Sequence, residues 1–518
     1  MEIIQKPIRM KRRKCNSQLQ ITLEDDFNVP DTKPDVEQIV TTEGNIELSE
    51  SNVLNGKLML KGILHFQLLY ISRESDQIVQ SIQGKVEFDE MVNMNEICPE
   101  DDIRVKCDLE DLNISLINSR KISVKSLVSL YCCGWELYEE DVPVGINGEA
   151  SEPCKYEKLN LTQIIVDKKD IFRVKENFRL PTGKPNIYQM LYYDIRMQGV
   201  ETRVQEGQIL VRGEMVLFIL YNTEENENGI EYYQAEQPFH SIIPCNGCGE
   251  NMLLQMEREI QSKDLQIKTD EDGEERILEA EVVWNLNIQV YEEKEWNCLT
   301  DMYSTRKKLL LERAKKEYRC FVFHNHAQLR INEQMELGKQ QNSILQICHT
   351  MGKLQIEEQE WTENGIQIDG SVEVKILYIG EKDGQSIGEK KVILPFSHTI
   401  DVQADGKNRT FEIKPELEQM NALLLGRDAI EVKLLMTLEV FVFDMLEKDM
   451  ITKVEEQEFD EQTLENMPSM VGYLVQENED LWTIAKRFYT TVEDVMQLNH
   501  MEQEVVERGE KIIIAKKC

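Results

Sequence analysis

Ile366-Gln-Ile-Asp-Gly-Ser-Val-Glu-Val-Lys-Ile-Leu-Tyr378 is a segment in which apolar and polar side chains alternate. A period of two with several β-branched residues predicts a half-buried strand. The same pattern occurs earlier in the chain, at 58–70 and at 209–221, and a glycine stands within all three segments. Since glycine inside a strand usually marks a bulge or a bend, we expect each strand to bend at its glycine and to cross between two sheets of a sandwich or barrel.

These segments belong to a repeat of domain size. Every copy has a glutamine, a glycine, a tyrosine and a phenylalanine separated by 24, 8 and 18 residues. In chain order the landmarks are Gln38, Gly62, Tyr70 and Phe88, then Gln189, Gly213, Tyr221 and Phe239, then Gln346, Gly370, Tyr378 and Phe396. The copies are offset by 151 and then by 157 residues, which is too long for a solenoid unit. We therefore expect three tandem domains, with the repeated tyrosines and phenylalanines in their cores.

Two copies share a proline-containing opening. Phe27-Asn-Val-Pro-Asp-Thr-Lys-Pro-Asp-Val-Glu-Gln-Ile39 and Phe178-Arg-Leu-Pro-Thr-Gly-Lys-Pro-Asn-Ile-Tyr-Gln-Met190 have the phenylalanine, both prolines, the lysine and the glutamine in register. The third copy, from Met335 to Ile347, lacks both prolines and keeps an apolar–x–Gln–apolar ending, which predicts a different local turn.

Each copy also contains a second region of alternating residues. These regions are Ile122–Tyr131, Ala280–Tyr291 and Ile430–Phe441, and they predict further strands. The segment Arg306–Lys316, which joins the second and third copies, fits either a helix or a strand. The expected fold class is mainly β, with three tandem domains that resemble sandwiches or barrels.

The charge of the chain narrows the classes of partner. Among 518 residues, 59 Lys+Arg stand against 95 Asp+Glu, and the net charge is -36. Because so acidic a surface repels phosphate backbones, the sequence predicts no nucleic-acid partner. The short basic run Lys11–Lys14 is interpreted as a solvated strand edge or arm, with an electrostatic contact to an acidic partner or an anionic membrane surface as the alternative.

Apolar runs and cysteine usage indicate a cytoplasmic protein. The chain has no stretch of about 18 apolar residues that would span a membrane. Met1-Glu-Ile-Ile-Gln-Lys6 does not resemble a secretory signal. The 12 cysteines are scattered rather than arranged as a small disulfide framework, so we expect most of them to be reduced thiols.

Candidate chemical sites are few. Cys245-Asn-Gly-Cys248 lacks the further ligands that zinc needs, and its Asn-Gly centre is interpreted as a turn. His324-x-His326 would place two imidazoles on one strand face, but no carboxylate or thiol pattern completes a site, so a surface pair is expected. Cys518 is interpreted as an inert thiol, with cross-linking in a late assembly as the alternative. Without nucleotide-binding, hydrolase or metalloprotease signatures, we predict no cofactor, no metal and no enzymatic activity.

From Tyr473 the pattern changes to a small mixed unit. After a short strand, Asp480 is a predicted N-cap, and apolar residues then recur at helical spacing. Thr491-Val-Glu-Asp494 resembles a capping box that opens a second helix, which ends near Asn499. A strand around Ile513 completes a β-α-α-β unit.

This unit resembles a LysM domain from Tyr473 to Ala515. The box Asn478-Glu-Asp-Leu-Trp-Thr-Ile-Ala485 is similar to the family's Gly-Asp-Thr-Leu-Trp-x-Ile-Ala pattern, and Asn499 and Gly509 also match. LysM domains generally bind N-acetylglucosamine glycans between the first strand–helix loop and the second helix–strand loop. The resemblance thus implies an interaction surface made of Glu477, Asn478, Glu479, Asp480, Leu481, Trp482, Asn499, His500 and Met501.

Two departures from the LysM pattern fall in the first loop. Asn478 stands where the family has glycine, and Glu479-Asp480 is more acidic than the usual Asp-Thr. These changes favour a protein ligand over a sugar. Trp482 is interpreted either as a core residue or as a partly exposed aromatic contact.

The three repeats resemble the SPOCS domain of clostridial sporulation proteins. The resemblance is carried by the Pro-x-x-Lys-Pro openings, by the strand from the glycine to the tyrosine, and by Asp301-Met-Tyr-Ser304, which is similar to the family's Asp-Ala-Tyr-Ser. Tandem SPOCS domains with a C-terminal LysM are the layout of SipL-like spore coat morphogenetic proteins. This implies a non-enzymatic scaffold in the mother-cell cytoplasm, at the forespore surface and in the spore coat, whose LysM binds a SpoIVA-like ATPase of the coat base layer.

The predicted division of the chain has five parts. They are SPOCS-like domains at 1–148, 149–315 and 316–462, a linker at 463–471 and the LysM domain at 472–518. Two rival functions are a cell-wall adapter that binds peptidoglycan or another N-acetylglucosamine glycan, and an enzyme that acts on wall polymers. An unpaired edge strand would also allow self-association.

Overall fold

Antiparallel strands dominate the fold. The computed structural model describes residues 1–54, 56–72, 78–147, 152–223, 229–336, 344–380, 387–402, 408–426, 429–459 and 469–515. Within these ranges, the α-helices are two short ones near the C-terminal end, and the predicted mainly β class is confirmed. No helix of the described chain is both long enough and apolar enough to cross a membrane.

Among the residues that the structure describes, six strands form each of the three large domains. The first has β1 (Glu2–Asn28), β2 (Gln38–Leu54), β3 (Lys57–Ile71), β4 (Val79–Asn93), β5 (Asp102–Asn118) and β6 (Lys121–Asn147). The second has β7 (Cys154–Arg179), β8 (Ile187–Gln205), β9 (Gln208–Thr223), β10 (Ile230–Pro244), β11 (Leu253–Thr269) and β12 (Glu275–Met302). The third has β13 (Lys308–Glu336), β14 (Ile344–Thr362), β15 (Gly365–Gly380), β16 (Ile387–Ile400), β17 (Arg409–Leu425) and β18 (Ala429–Gln457). The terminal module has β19 (Met470–Leu474), α1 (Leu481–Arg487), α2 (Val492–Leu498) and β20 (Lys511–Ala515).

Each large domain is a sandwich of two three-stranded sheets. In the first domain the strand orders are β2-β3-β4 and β1-β6-β5, and both sheets contribute to one core. The second domain has β8-β9-β10 with β7-β12-β11, and the third has β14-β15-β16 with β13-β18-β17. The predicted second β regions are the central strands β6, β12 and β18. The segment that fitted either a helix or a strand enters β13, which pairs with β18.

The repeated glycine makes room for the repeated phenylalanine. Gly62 in β3 lies opposite Phe88 in β4, and a Cβ atom on Gly62 would overlap the Phe88 ring. The second and third domains repeat this pairing. The equivalent pairs are Gly213 with Phe239 and Gly370 with Phe396. An aromatic ring therefore covers a strand position at which no side chain fits.

The strand irregularity predicted at the glycine lies in the neighbouring strand. The pairing of β2 with β3 shifts register between Leu48 and Glu50, opposite Gly62, whereas β3 pairs with β4 without a shift. The glycine strand stays in one sheet as its central strand. The prediction that it crosses between two sheets is therefore wrong, because an extra residue in β2 takes up the irregularity.

The repeated tyrosine holds the proline-containing opening. Tyr70 donates a hydrogen bond from its hydroxyl to the carbonyl of Pro34 over 3.0 Å, and Tyr221 donates to Pro185 over 3.2 Å. Both rings are fully buried, as predicted, whereas Tyr378 is only half-buried. The third opening falls mostly at 337–343, outside the described residues, so its predicted turn stays a prediction.

The three large domains contact one another in a closed ring. Gln67 of the first domain donates to the Leu191 carbonyl of the second over 2.9 Å, and Arg196 of the second donates to Thr350 of the third over 3.2 Å. Lys375 Nζ of the third domain donates to the Thr42 carbonyl of the first over 2.8 Å, and this contact closes the ring. Apolar residues at equivalent repeat positions meet in two interdomain clusters. They are Leu69, Leu220 and Leu377 in one cluster, and Met10, Leu161 and Tyr318 in the other.

The basic run near the N-terminus takes part in this ring. Lys11 is almost fully buried between Asp102 of its own domain, at 2.8 Å, and Asp167 of the second domain, at 3.0 Å. Lys14 pairs with Asp101. The interpretation of a solvated strand edge is therefore wrong for Lys11, because two domains bury its ammonium group between carboxylates.

Candidate functional site

The terminal module has the predicted β-α-α-β order, and its helix caps are those expected. Asp480 Oδ1 accepts a hydrogen bond from the Thr483 amide over 2.8 Å at the start of α1. Thr491 Oγ1 accepts from the Asp494 amide over 3.1 Å at the start of α2. These caps satisfy backbone donors that an isolated helix leaves unpaired.

A residue of the second large domain completes the core of the module. Tyr303 follows β12 and is buried among module residues that include Val475 and Ile484. Its hydroxyl donates to the Thr490 carbonyl over 2.8 Å. Its ring lies edge-on to the Trp482 indole, with centroids 5.0 Å apart. The module thus packs on the second domain through a shared apolar core.

Asp301 supplies the polar half of this contact. It accepts a hydrogen bond from Trp482 Nε1 over 2.8 Å, and Lys486 Nζ lies 2.6 Å from its carboxylate. Arg313 from β13 donates to the same group over 3.0 Å. Burial alone would raise the pKa of Asp301, but the hydrogen bonds from Lys486 and Trp482 outweigh burial and lower it. The carboxylate is therefore held ionised between three donors.

Lys155 of β7 forms a second polar bridge to the module. Its Nζ lies 3.0 Å from Asp480 Oδ2 and 5.9 Å from the centroid of the Trp482 ring. Burial would raise the pKa of Asp480, but the hydrogen bonds from Thr483 and Lys155 bring it down to about 2. We call the contact of Lys155, Asp301 and Tyr303 with the module the docking contact.

The nine predicted surface residues have different environments. Leu481 is 1% exposed in the module core, and Trp482 is half-buried in the docking contact. Glu479 accepts from the Tyr473 hydroxyl over 2.8 Å and pairs with Arg487 over 2.7 Å. These side chains are therefore engaged within the chain. The sequence allows Trp482 to be either a core residue or a partly exposed aromatic contact. In the structure its side chain is half-buried against the second domain, which lies between these two roles.

The second predicted loop is also partly engaged. Asn499 accepts from the Ile513 amide and donates to its carbonyl, both over 2.7 Å, which ties α2 to β20. Met501 is half-buried against the module core. The predicted residues whose side chains remain exposed without a cap or core role are Glu477, Asn478 and His500. Asn478 has a φ of 62°, a left-handed conformation that explains why glycine is usual there.

Sequence reasoning missed the docking contact. In the sequence, Asp301 and Tyr303 stand out only as part of a family-like motif, and nothing marks Lys155. The signal was present in that motif, because a buried aromatic beside an acidic residue at the end of a strand needs a partner. Its partner lies roughly 180 residues further along the chain, and spacing alone does not reveal such a pair.

Two other predicted groups differ from expectation. Cys245 and Cys248 are joined by a disulfide across the predicted Asn246-Gly247 turn, so this pair is an exception to the expectation that most cysteines are reduced thiols. Glu439 lies beside His324 and His326, so the expectation that no carboxylate accompanies these histidines is also wrong. Cys518 lies outside the described residues.

Comparison with known families agrees with the repeat and with the module. The family model described as "SipL, SPOCS domain" matches residues 35–117, 186–268 and 343–425. These matches begin 151 and then 157 residues apart, which are the offsets of the landmark residues. The LysM domain model matches residues 473–515. No curated protein and no solved structure matches the chain.

Proposed function

This chain is a sporulation-related protein of the SipL type, with three SPOCS domains and one LysM domain, and we propose that it is a non-enzymatic scaffold of the spore coat. In this proposal the LysM domain binds a protein of the coat base layer, of the SpoIVA-like ATPase class. The protein acts in the mother-cell cytoplasm, at the forespore surface and in the coat.

The observation that carries the proposal is the engagement of the first LysM loop by its own chain. Asp480 is bridged to Lys155, Trp482 donates to Asp301, and Glu479 is satisfied inside the module. A sugar held in this loop would compete with these contacts, and the half-buried Trp482 and Glu479 side chains would each give up a hydrogen-bond partner at a cost in free energy. The bridge of Asp480 to Lys155 is partly exposed and adds less to this cost. A protein partner can use the side chains that stay exposed. They are Glu477, Asn478 and His500.

The ring of SPOCS domains supports a scaffold role. Each domain contacts the other two, and the LysM domain rests on the second through the docking contact. An arrangement with so many interdomain contacts presents the LysM surface in a fixed orientation. Preorganisation of this kind reduces the entropy lost when a partner binds.

The alternative is an adapter that binds peptidoglycan or another N-acetylglucosamine glycan. The match to a LysM domain favours it, since this is a peptidoglycan-binding type of domain. Affinity for N-acetylglucosamine oligomers separates the two functions directly.

The test uses the full-length chain, because Tyr303 belongs to the LysM core and a separated module would lose it. The immobilised chain is incubated with extract of sporulating cells, and retained proteins are identified by mass spectrometry. We expect retention of the base-layer ATPase by the wild type and its loss in Asn478→Ala/His500→Ala. The matched control Asn52→Ala/His240→Ala changes the same residue types at exposed SPOCS positions and should retain it.

A parallel titration with N-acetylglucosamine pentamer completes the test. The proposal predicts no saturable binding of the pentamer by the wild type. Saturable binding that the Asn478→Ala/His500→Ala variant loses, together with no retained base-layer ATPase, would establish the adapter instead.

A further inference from the structure

We propose that His324, His326 and Glu439 of the third SPOCS domain form a binding site for one divalent transition-metal ion of the zinc class. The two histidines stand two residues apart on β13, so their side chains lie on the same face of the strand. Glu439 lies directly opposite His326 in the pairing of β13 with β18. Three potential ligands are thus brought together by sheet pairing.

The distances between the ligand atoms suit one small cation. His324 Nε2 lies 3.0 Å from Glu439 Oε1, and His326 Nε2 lies 3.6 Å from the same oxygen. One ligand atom from each residue lies within 4.8 Å of both others. Zinc bonds to nitrogen and oxygen are about 2.1 Å long, so the ligand atoms of a tetrahedral site stand about 3.4 Å apart. Small side-chain adjustments therefore suffice for coordination.

A neighbouring ring orients one of the ligands. The His324 ring stacks on the buried Phe441 ring, with centroids 4.3 Å apart and an interplanar angle of 16°. Oε1 of Glu439 is the oxygen that lies close to both imidazoles. Lys414 Nζ lies 3.9 Å from the other oxygen, Oε2, which is too long for a hydrogen bond. A ligand whose ring is held in one orientation favours metal binding.

The site is open on one side. The His326 side chain is 58% exposed, which gives an ion a path of entry, whereas His324 and Glu439 are about one-quarter exposed. Two imidazoles and one carboxylate are the donors that zinc commonly takes when it keeps a further position for water or an incoming ligand. The bound ion would join β13 to β18, the first and last strands of the third domain.

Another histidine–carboxylate contact provides a matched control. His65 Nε2 lies 2.9 Å from Glu47 in the first domain, and both side chains are partly exposed. Within the described residues, no third potential ligand forms a cluster with this pair. His65→Ala therefore removes one histidine–glutamate contact without touching the proposed site.

The experiment titrates the metal-free full-length protein with Zn²⁺ and, separately, with Co²⁺. We expect one Zn²⁺ to bind with the same affinity in the wild type and in His65→Ala, and to raise the melting temperature of both. We expect His326→Ala and Glu439→Gln each to weaken binding by at least about 100-fold and to abolish the rise in melting temperature. Circular dichroism checks that each variant is folded.

Three results would overturn the proposal. They are the absence of Zn²⁺ binding in the wild type, unchanged affinity in His326→Ala and Glu439→Gln, and a Co²⁺ spectrum with thiolate charge-transfer bands. The last result would show that cysteines hold the ion, because the proposed ligands are nitrogen and oxygen only.

Discussion

The Trp482 indole donates a hydrogen bond from Nε1 to Oδ2 of Asp301 over 2.8 Å, and this bond connects the LysM domain to the second SPOCS domain. The same carboxylate accepts from Lys486 of α1. A tryptophan of the LysM sequence box is thus oriented by a residue of another domain, so the stability of α1 depends on the end of β12.

Asp301→Asn should loosen the LysM domain. The variant keeps the shape of the side chain but removes the negative charge that Lys486 and Arg313 neutralise. Since a hydrogen bond to a charged group contributes about 1.5–3 kcal/mol, and these contacts are partly exposed, we expect a loss near the lower end of that range. Hydrogen–deuterium exchange of the α1 amides measures it. Glu295→Gln, which removes an exposed carboxylate on the same strand, should leave the exchange unchanged.

Two substitutions of Tyr303 should distinguish the stabilisation contributed by its ring from that contributed by its hydroxyl. Tyr303→Phe loses only the bond to the Thr490 carbonyl and should cost about 1 kcal/mol. Tyr303→Ala also empties a volume in the LysM core and should cost about 3–5 kcal/mol. Faster exchange of α1 in Tyr303→Ala than in Tyr303→Phe is the expected order. Equal rates would mean that the ring contributes nothing to the contact.

Gly62→Ala should destabilise the first SPOCS domain. The new methyl group would meet the Phe88 ring and also the Glu47 carbonyl at 2.9 Å, so we expect a cost of about 1–3 kcal/mol. Gly183→Ala is the control, because a Cβ atom there meets nothing within 4 Å. Thermal unfolding of both variants checks the difference. Similar melting temperatures would contradict the role assigned to the glycine.

The interface of the second and third domains should weaken in mild acid. His349 is buried, its Nε2 lies 3.1 Å from Asp194, and Arg196 and Lys263 also lie beside that carboxylate. Burial lowers the pKa of His349 more than Asp194 raises it. As the pH falls below the ordinary histidine value of about 6.5, the unfolded chain therefore takes up a proton that the folded chain does not, and stability is lost.

Asp194 does not contribute to the loss of stability in mild acid. Burial would raise the pKa of Asp194, but Lys263 and His349 lower it by more than burial raises it. The stability that the Asp194 carboxylate contributes is therefore lost only in strong acid. Melting temperatures at about pH 7.5 and pH 5.5 bracket the histidine transition. We expect a fall for the wild type and a smaller one for His349→Gln. An equal fall in both proteins would assign the pH dependence to other groups.

The repeat was predictable from the sequence because it rests on local spacing. Alternation identified β3, β9 and β15, and the fixed interval of 26 residues between Gly62 and Phe88 reflects the length of one hairpin. The helix caps Asp480 and Thr491 were predictable for the same reason, since a cap and its helix are neighbours in sequence.

Contacts between distant segments were not predictable. The approach of Glu439 to His326 depends on the register of β13 and β18, and the contact of Trp482 with Asp301 depends on how two domains meet. Neither relationship leaves a periodic pattern in the chain. The extra residue in β2 was not predictable for a related reason. A glycine in the sequence indicates a position where a side chain does not fit, but it does not indicate which strand contains the extra residue.

The ring of three equivalent domains has a consequence for valency. Leu69, Leu220 and Leu377 give the body an approximate threefold character, yet the chain carries one LysM domain, docked on the second repeat. Each molecule therefore offers one LysM surface from a body with three similar sides. If that surface binds the base layer, many copies held side by side on the same layer would attach more strongly than a single molecule, since avidity grows with the number of linked contacts.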